Sequence, residues 1–230
     1  MSPGMRKTAT LALLVVAAIL GTGPTASAAG LPGFTLAART PRVSFYSRGQ
    51  KVDVAKVEAS LTRIEGALGT RLAGHASYYR YESAQEVAAG TGHYAAGVTF
   101  AGQVHSTSAC HDHELVHLVA AQMGNPGRFL QEGLAVALGD ESRGLRKAAK
   151  KALSGGQPVT RWVSGFDSQD PAAAYAVAGT FVRHLIDTQG MEKVRALFRA
   201  SRSDSDVPRA FAATFGQDLE EALGSWRADL

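Results

Sequence analysis

His111-Asp112-His113-Glu114-Leu115-Val116-His117 is the stretch from which the rest of the chain is read. Residues 113–117 spell HExxH. On a helix, side chains four apart stand one above the other on the same face. Two imidazoles at that spacing can grip one ion, and the carboxylate of Glu114 can face a water at that ion. Fifteen positions beyond His117 comes Glu132, in Phe129-Leu130-Gln131-Glu132-Gly133-Leu134-Ala135. Between them Gly124-Asn125-Pro126-Gly127 breaks the chain sharply. The pattern predicts a helix capped near Ser106 to Ser108 and running to about Met123, then a second from about Arg128 to Gly139. A tight turn between them brings Glu132 back against both histidines.

Each of these residue types suits one role in a hydrolytic zinc site. Catalytic zinc takes three protein ligands and keeps a fourth position for water. His113, His117 and Glu132 supply the three, for one Zn2+ per chain. Zinc lowers the pKa of its water, and Glu114 is the general base that takes the proton and hands it to a leaving amine. The oxyanion that develops needs a further hydrogen-bond donor. Tyr175 and His184 are the candidates, two and a half helical turns apart on one predicted helix, so only one faces the cleft. Tyr175 shares the apolar stripe and is the catalytic candidate; the alternative is a tyrosine that only packs. His184 sits with Arg183 and Asp187 on the polar side.

At these positions the chain resembles the gluzincin zinc metallopeptidases. Those carry HExxH on one helix and a glutamate ligand on a following one, often in an N/Q-E-G-F/L-A setting. It is similar in particular to the small secreted peptidase MA-like domains, and the resemblance extends to residues 174–182 and 215–221. It implies an α+β, zincin-like fold: a small N-terminal mixed sheet with helices, the HExxH helix, and a mostly helical C-terminal half. It also implies that the strand before the metal helix, predicted over residues 97–105, is a free sheet edge beside the cleft, to which an extended peptide adds. An ordinary interior strand is the alternative. One position departs from thermolysin-like members, where an acidic residue one turn after the glutamate ligand orients the first histidine. Here it is Val136, so another group, such as a backbone carbonyl, must hold His113. A metzincin-type site is excluded by Ala120 and Met123, which stand where its glycine and third histidine would be. Were Glu132 not a ligand, Asp140 is the next residue to consider.

Residues 1–28 have the form of a cleavable signal peptide: Arg6 and Lys7, an apolar run from Thr10 to Leu20, and Ala26-Ser27-Ala28. Secretion is the implied location, without stable membrane insertion afterwards. Residues 29–40 read as a short linker and 41–230 as one domain, long enough to bury a core without staples. Without the leader, 22 basic residues face 20 acidic ones, net +2. No Lys/Arg run suggests a nucleic-acid surface; the predicted partner is a peptide or protein substrate. The single cysteine, Cys110, rules out an intrachain disulfide. It precedes His113 by three and His117 by seven, which puts it on the metal stripe if the helix already includes it; otherwise it packs as a small apolar residue. Residues 43–46 and 76–81 read as strands, with the tyrosines of the second packing the sheet. Helices are predicted from Asp53 to Gly69, over 83–89, 141–153, 172–188, 191–199 and 207–214, and at the C-terminus; Trp162 to Pro171 reads as loop. Two functions follow. One is a secreted zinc metallopeptidase hydrolysing peptide bonds; the other is a catalytically silent binding protein of the same fold.

Overall fold

Val43-Ser44-Phe45-Tyr46 alternates as strands do, and in the computed structural model, which describes residues 30–139 and 144–230, it lies in an interior strand of a sheet. Five strands make that sheet: β1 Thr35–Arg39, β2 Val43–Ser47, β3 Ala76–Arg80, β4 Gly97–Phe100 and β5 Gln103–Ser106. Their order is β1-β2-β3-β5-β4. β2, β3 and β5 run parallel, and β1 and β4 are antiparallel to their neighbours. The parallel steps need crossovers. α1, Val54–Leu68, makes the first and α2, Ala84–Thr91, lies within the second. α1 is capped by Asp53, whose carboxylate takes the Lys56 N–H, and is stopped by Gly69 in the left-handed region. Its stripe of Val57, Leu61, Ile64 and Leu68 is fully buried with Val43, Phe45, Tyr78 and Val104 on one face of the sheet.

The opposite face carries a smaller cluster of Tyr46, Tyr79, Tyr81, Val87 and Val98. Four rings stack across four strands: Tyr46 on Tyr79 at 4.9 Å, Tyr79 on His105 at 5.1 Å, and His105 on Phe100 at 4.9 Å. The tyrosines therefore pack the sheet. His105 accepts from the Tyr81 hydroxyl at Nδ1 (2.9 Å) and donates from Nε2 to the Gln103 side chain (3.2 Å), which is the neutral ring. Burial pulls its pKa down to about 4.

The single strand predicted over 97–105 is a hairpin. Ala101 (φ +49°) and Gly102 (φ +74°) both take the left-handed conformation of a two-residue turn. The interior strand before the metal helix is thus β5, and the free edge is β4. Alternation runs unbroken through the small residues of the turn, which hides it. The Thr107 N–H donates to Ala96 O at 2.8 Å. Closed and open pairs alternate in an antiparallel ladder, so Val98 and Phe100 turn their amide groups to β5 and Gly97 and Thr99 turn theirs outward.

The remaining helices are α3 Asp112–Ala120, α4 Arg128–Leu138, α5 Leu145–Leu153, α6 Thr160–Ser164, α7 Pro171–Gln189, α8 Met191–Ala200, α9 Val207–Phe215 and α10 Leu219–Ala228. A 3-10 turn, Ala121–Met123, extends α3. Two expectations are corrected. The 29–40 stretch carries β1, and the loop expected at 162–171 contains the end of α6 and a second 3-10 turn, Phe166–Ser168, because Trp162, Val163 and Phe166 fill the core. Residues 1–28, expected from the sequence to be a signal peptide, lie outside the described residues, as do Asp140 and Glu141. Among the described residues no helix is long and apolar enough to cross a membrane.

α4 and α7 touch because two glycines remove side chains from their crossing. A Cβ on Gly179 would lie 2.2 Å from Val136 Cγ1, and one on Gly133 would lie 2.8 Å from Ala178 O. Val136 therefore packs into α7. Around this crossing Phe129, Phe181, Phe211 and Trp226 form the centre of the helical half.

Candidate metal centre

α3 is buried along its whole length, with Asp112 and Glu114 in the first turn, where carboxylates favour a helix N-terminus. It starts at Asp112, with His111 at the cap, later than the serines suggest: Ser106 Oγ instead takes the Ser108 N–H at 2.9 Å. Asp112 fixes the start. Ser60 donates to Oδ1 at 2.8 Å and Arg63 to Oδ2 at 2.7 Å, while Arg63 also donates to Leu138 O at the end of α4. One guanidinium thus ties α1, α3 and α4 together. Burial works to raise the Asp112 pKa, but Ser60, Cys110 and Arg63 hold it below the usual range.

The break at residues 124–127 reverses the chain, and Gly127 takes a conformation (φ +99°) that places its Cα against Asp204. The carboxylate of Asp204 accepts the Phe129 N–H at 2.8 Å and so caps α4 from a remote part of the chain. Glu132 then meets the histidines. His113 Nε2 and His117 Nε2 are 3.1 Å apart, and Glu132 Oε2 lies 3.2 and 3.3 Å from them. All three residues are buried. Three lone-pair atoms in a triangle this tight, two of them imidazole nitrogens, need a shared cation or protons to hold them. A tetrahedral ion with bonds of about 2.0–2.1 Å sets its ligands roughly 3.3 Å apart, so the triangle fits a metal ion. Burial would push the Glu132 carboxyl up, yet the two facing imidazoles hold it well below its ordinary range, as an anion. Arg128, one turn earlier, adds a contact to Oε1 at 3.4 Å.

Glu114 is wholly buried beside this triangle. Thr99 Oγ1, on β4, lies 2.9 Å from Glu114 Oε2 and 3.0 Å from the Glu114 carbonyl oxygen, either of which can take its proton. Oε1 has no hydrogen-bond partner among the described residues. Gly97 makes the approach of strand to helix feasible, since a Cβ there would lie 2.7 Å from Glu114 Cγ and 2.4 Å from His111 Nδ1. Tyr175 packs its ring 5.9 Å from that of His113, and its buried hydroxyl likewise has no partner among the described residues. Burial, then the charge of Glu132, pushes the phenol pKa upward, so it stays a donor. His184, on the same helix, lines a different cavity with Arg183 and Asp187.

Cys110 stands apart. α3 begins two residues later, so the thiol is not on the metal stripe. It lies 3.2 Å from Asp112 Oδ1 and 3.9 Å from Ser60 Oγ, and it is not in the buried triad. Burial and the neighbouring Asp112 push its pKa up to about 12. Sequence reasoning missed Thr99, Gly97 and Arg128. Arg128 had a signal, one turn before Glu132; the other two act through a strand crossing a helix, which spacing does not encode. The chain matches no protein-family model, and no curated protein is similar enough to be matched.

Proposed function

We propose that the protein is a secreted zinc metallopeptidase with a zincin-like, gluzincin-type site. The observation that supports this best is the buried triangle of His113, His117 and Glu132 with an ionisable carboxylate, Glu114, beside it. A zinc ion held there supplies Lewis-acid activation of a water and of a peptide carbonyl. The residues of the chain do the rest. Thr99 holds one oxygen of Glu114, which leaves Oε1 to accept the proton of the attacking water and return it to the nitrogen of the departing amine. The Tyr175 hydroxyl donates to the oxygen that gains charge as the carbonyl is attacked. The outward amide groups of Gly97 and Thr99 take the main chain of an extended substrate.

Purified protein lacking the leader is expected to carry one zinc, lost in His113→Ala, His117→Ala and Glu132→Ala. Glu114→Gln should keep the metal and cut peptides about 100-fold more slowly. Equal turnover in wild type and Glu114→Gln would remove the mechanism. Zinc without any turnover would leave a silent zincin-fold binding protein.

A further inference from the structure

Between residues 144 and 166 the chain carries five basic residues and no acidic one. Residues 29–230 as a whole are nearly balanced, so the remainder is slightly acidic. Four of the five, Arg146, Lys147, Lys150 and Lys151, belong to α5, and all four are exposed. Arg146 is tied back to the backbone carbonyls of Asp229 and Leu230. The three lysines form no ion pair or side-chain hydrogen bond among the described residues. Elsewhere several cations do meet carboxylates: Arg42 pairs with Glu58 and Glu65, Arg63 with Asp112, and Arg209 with Asp206. Like charges one turn apart, as in Arg146–Lys150 and Lys147–Lys151, oppose a helix. α5 forms all the same because Ala149 and Leu153 are buried on its inner side, where it packs on α7. That apolar stripe is covered by protein, so the outer face offers charge alone.

We propose that the outer face of α5 is a docking surface for an anionic phospholipid bilayer, on which the protein lies without inserting. Lysine ammonium groups are mobile point charges on long stems. Spread over the convex face of a helix, they suit a fluid sheet of anionic headgroups that rearranges to meet them; a folded partner needs fixed complementary positions. A basic helix that inserts must keep an apolar face for the lipid, and here that face is buried. α5 packs on α7, α7 on α4, α4 on α3 and α3 on β4, so three helices stand between the bilayer and the β4 edge.

The metal centre takes no part in this contact, and the test needs no turnover. Purified protein lacking the leader is sedimented with vesicles of phosphatidylcholine alone, or of phosphatidylcholine with one-third phosphatidylglycerol. At low salt it should bind the anionic vesicles about 100-fold more strongly than the neutral ones, on a scale of about fivefold per lysine. The difference should vanish in about 0.5 M salt. The triple variant Lys147→Gln/Lys150→Gln/Lys151→Gln should bind both vesicles at the neutral level. Glutamine matches lysine in helix propensity, so this variant should unfold at no less denaturant than the wild type. Lys51→Gln/Arg71→Gln/Arg199→Gln removes three exposed cations elsewhere and should keep most of the binding. Equal binding to both vesicle types, anionic binding that the α5 triple variant leaves intact, or an equal loss in the second triple variant would overturn the surface. Binding of a soluble anionic polymer, dextran sulfate, without binding of the vesicles would overturn the bilayer as its partner.

Discussion

A thiol binds metal as the thiolate. Cys110 is held protonated by burial and by Asp112 at its side, and it points to Ser60 rather than to the histidines. Cys110→Ala should therefore leave zinc content and turnover at wild-type levels, with and without mild oxidant, and cost about 1 kcal/mol of stability through the lost contact to Asp112. A severalfold change in activity that oxidant reverses in wild type and not in Cys110→Ala would restore a switch. The four residues of the centre were legible because a helix converts spacing into a shared face: His113, Glu114 and His117 need only one regular helix, and Glu132 only one tight turn. Whether Cys110 joined them depended on where α3 starts. That start is set by Arg63 and Ser60, some fifty positions away in the chain, so no local pattern carried it.

Among the elements, α7 reaches the centre only because Gly179 and Gly133 let it lie against α4. Gly179→Ala should destabilise the protein by about 1–3 kcal/mol through overpacking and lower turnover by moving Tyr175 away from His113. Val136→Ala should cost stability alone, yet recover part of the loss when combined with Gly179→Ala. Denaturant melts of the four proteins form a double-mutant cycle; strict additivity would show that the crossing is not limiting. Long helices with clean stripes, such as α1 and α7, were legible from periodicity. The β4–β5 turn was not, since Ala101 and Gly102 continue the alternation of their flanks. β1 was not legible either, because Thr35–Arg39 lies mostly exposed at an edge and shows no buried periodicity.

For the molecule as a whole, His105 sets an acid limit. Folded, it titrates near pH 4; unfolded, near 6.5. Between those values the unfolded chain binds a proton that the folded one refuses, so this contribution is present above pH 6.5 and is lost as pH falls towards 4. It amounts to about 3 kcal/mol at most. Denaturant melts across this range should show the fall, and His105→Gln should flatten it; an unchanged slope would place the acid sensitivity elsewhere. Zinc should raise the melting temperature and a chelator lower it, following mass action. The ligand triangle has a kinetic consequence as well. All three of its residues fall within 113–132, so an unfolded chain can close around an ion at little entropic cost. Metal bound by the unfolded state subtracts from the stabilisation, and in exchange the ion can seed the α3–α4 pair before the more distant β2–β3–β5 pairings assemble. Refolding started with zinc present should then outpace refolding in which zinc is added last.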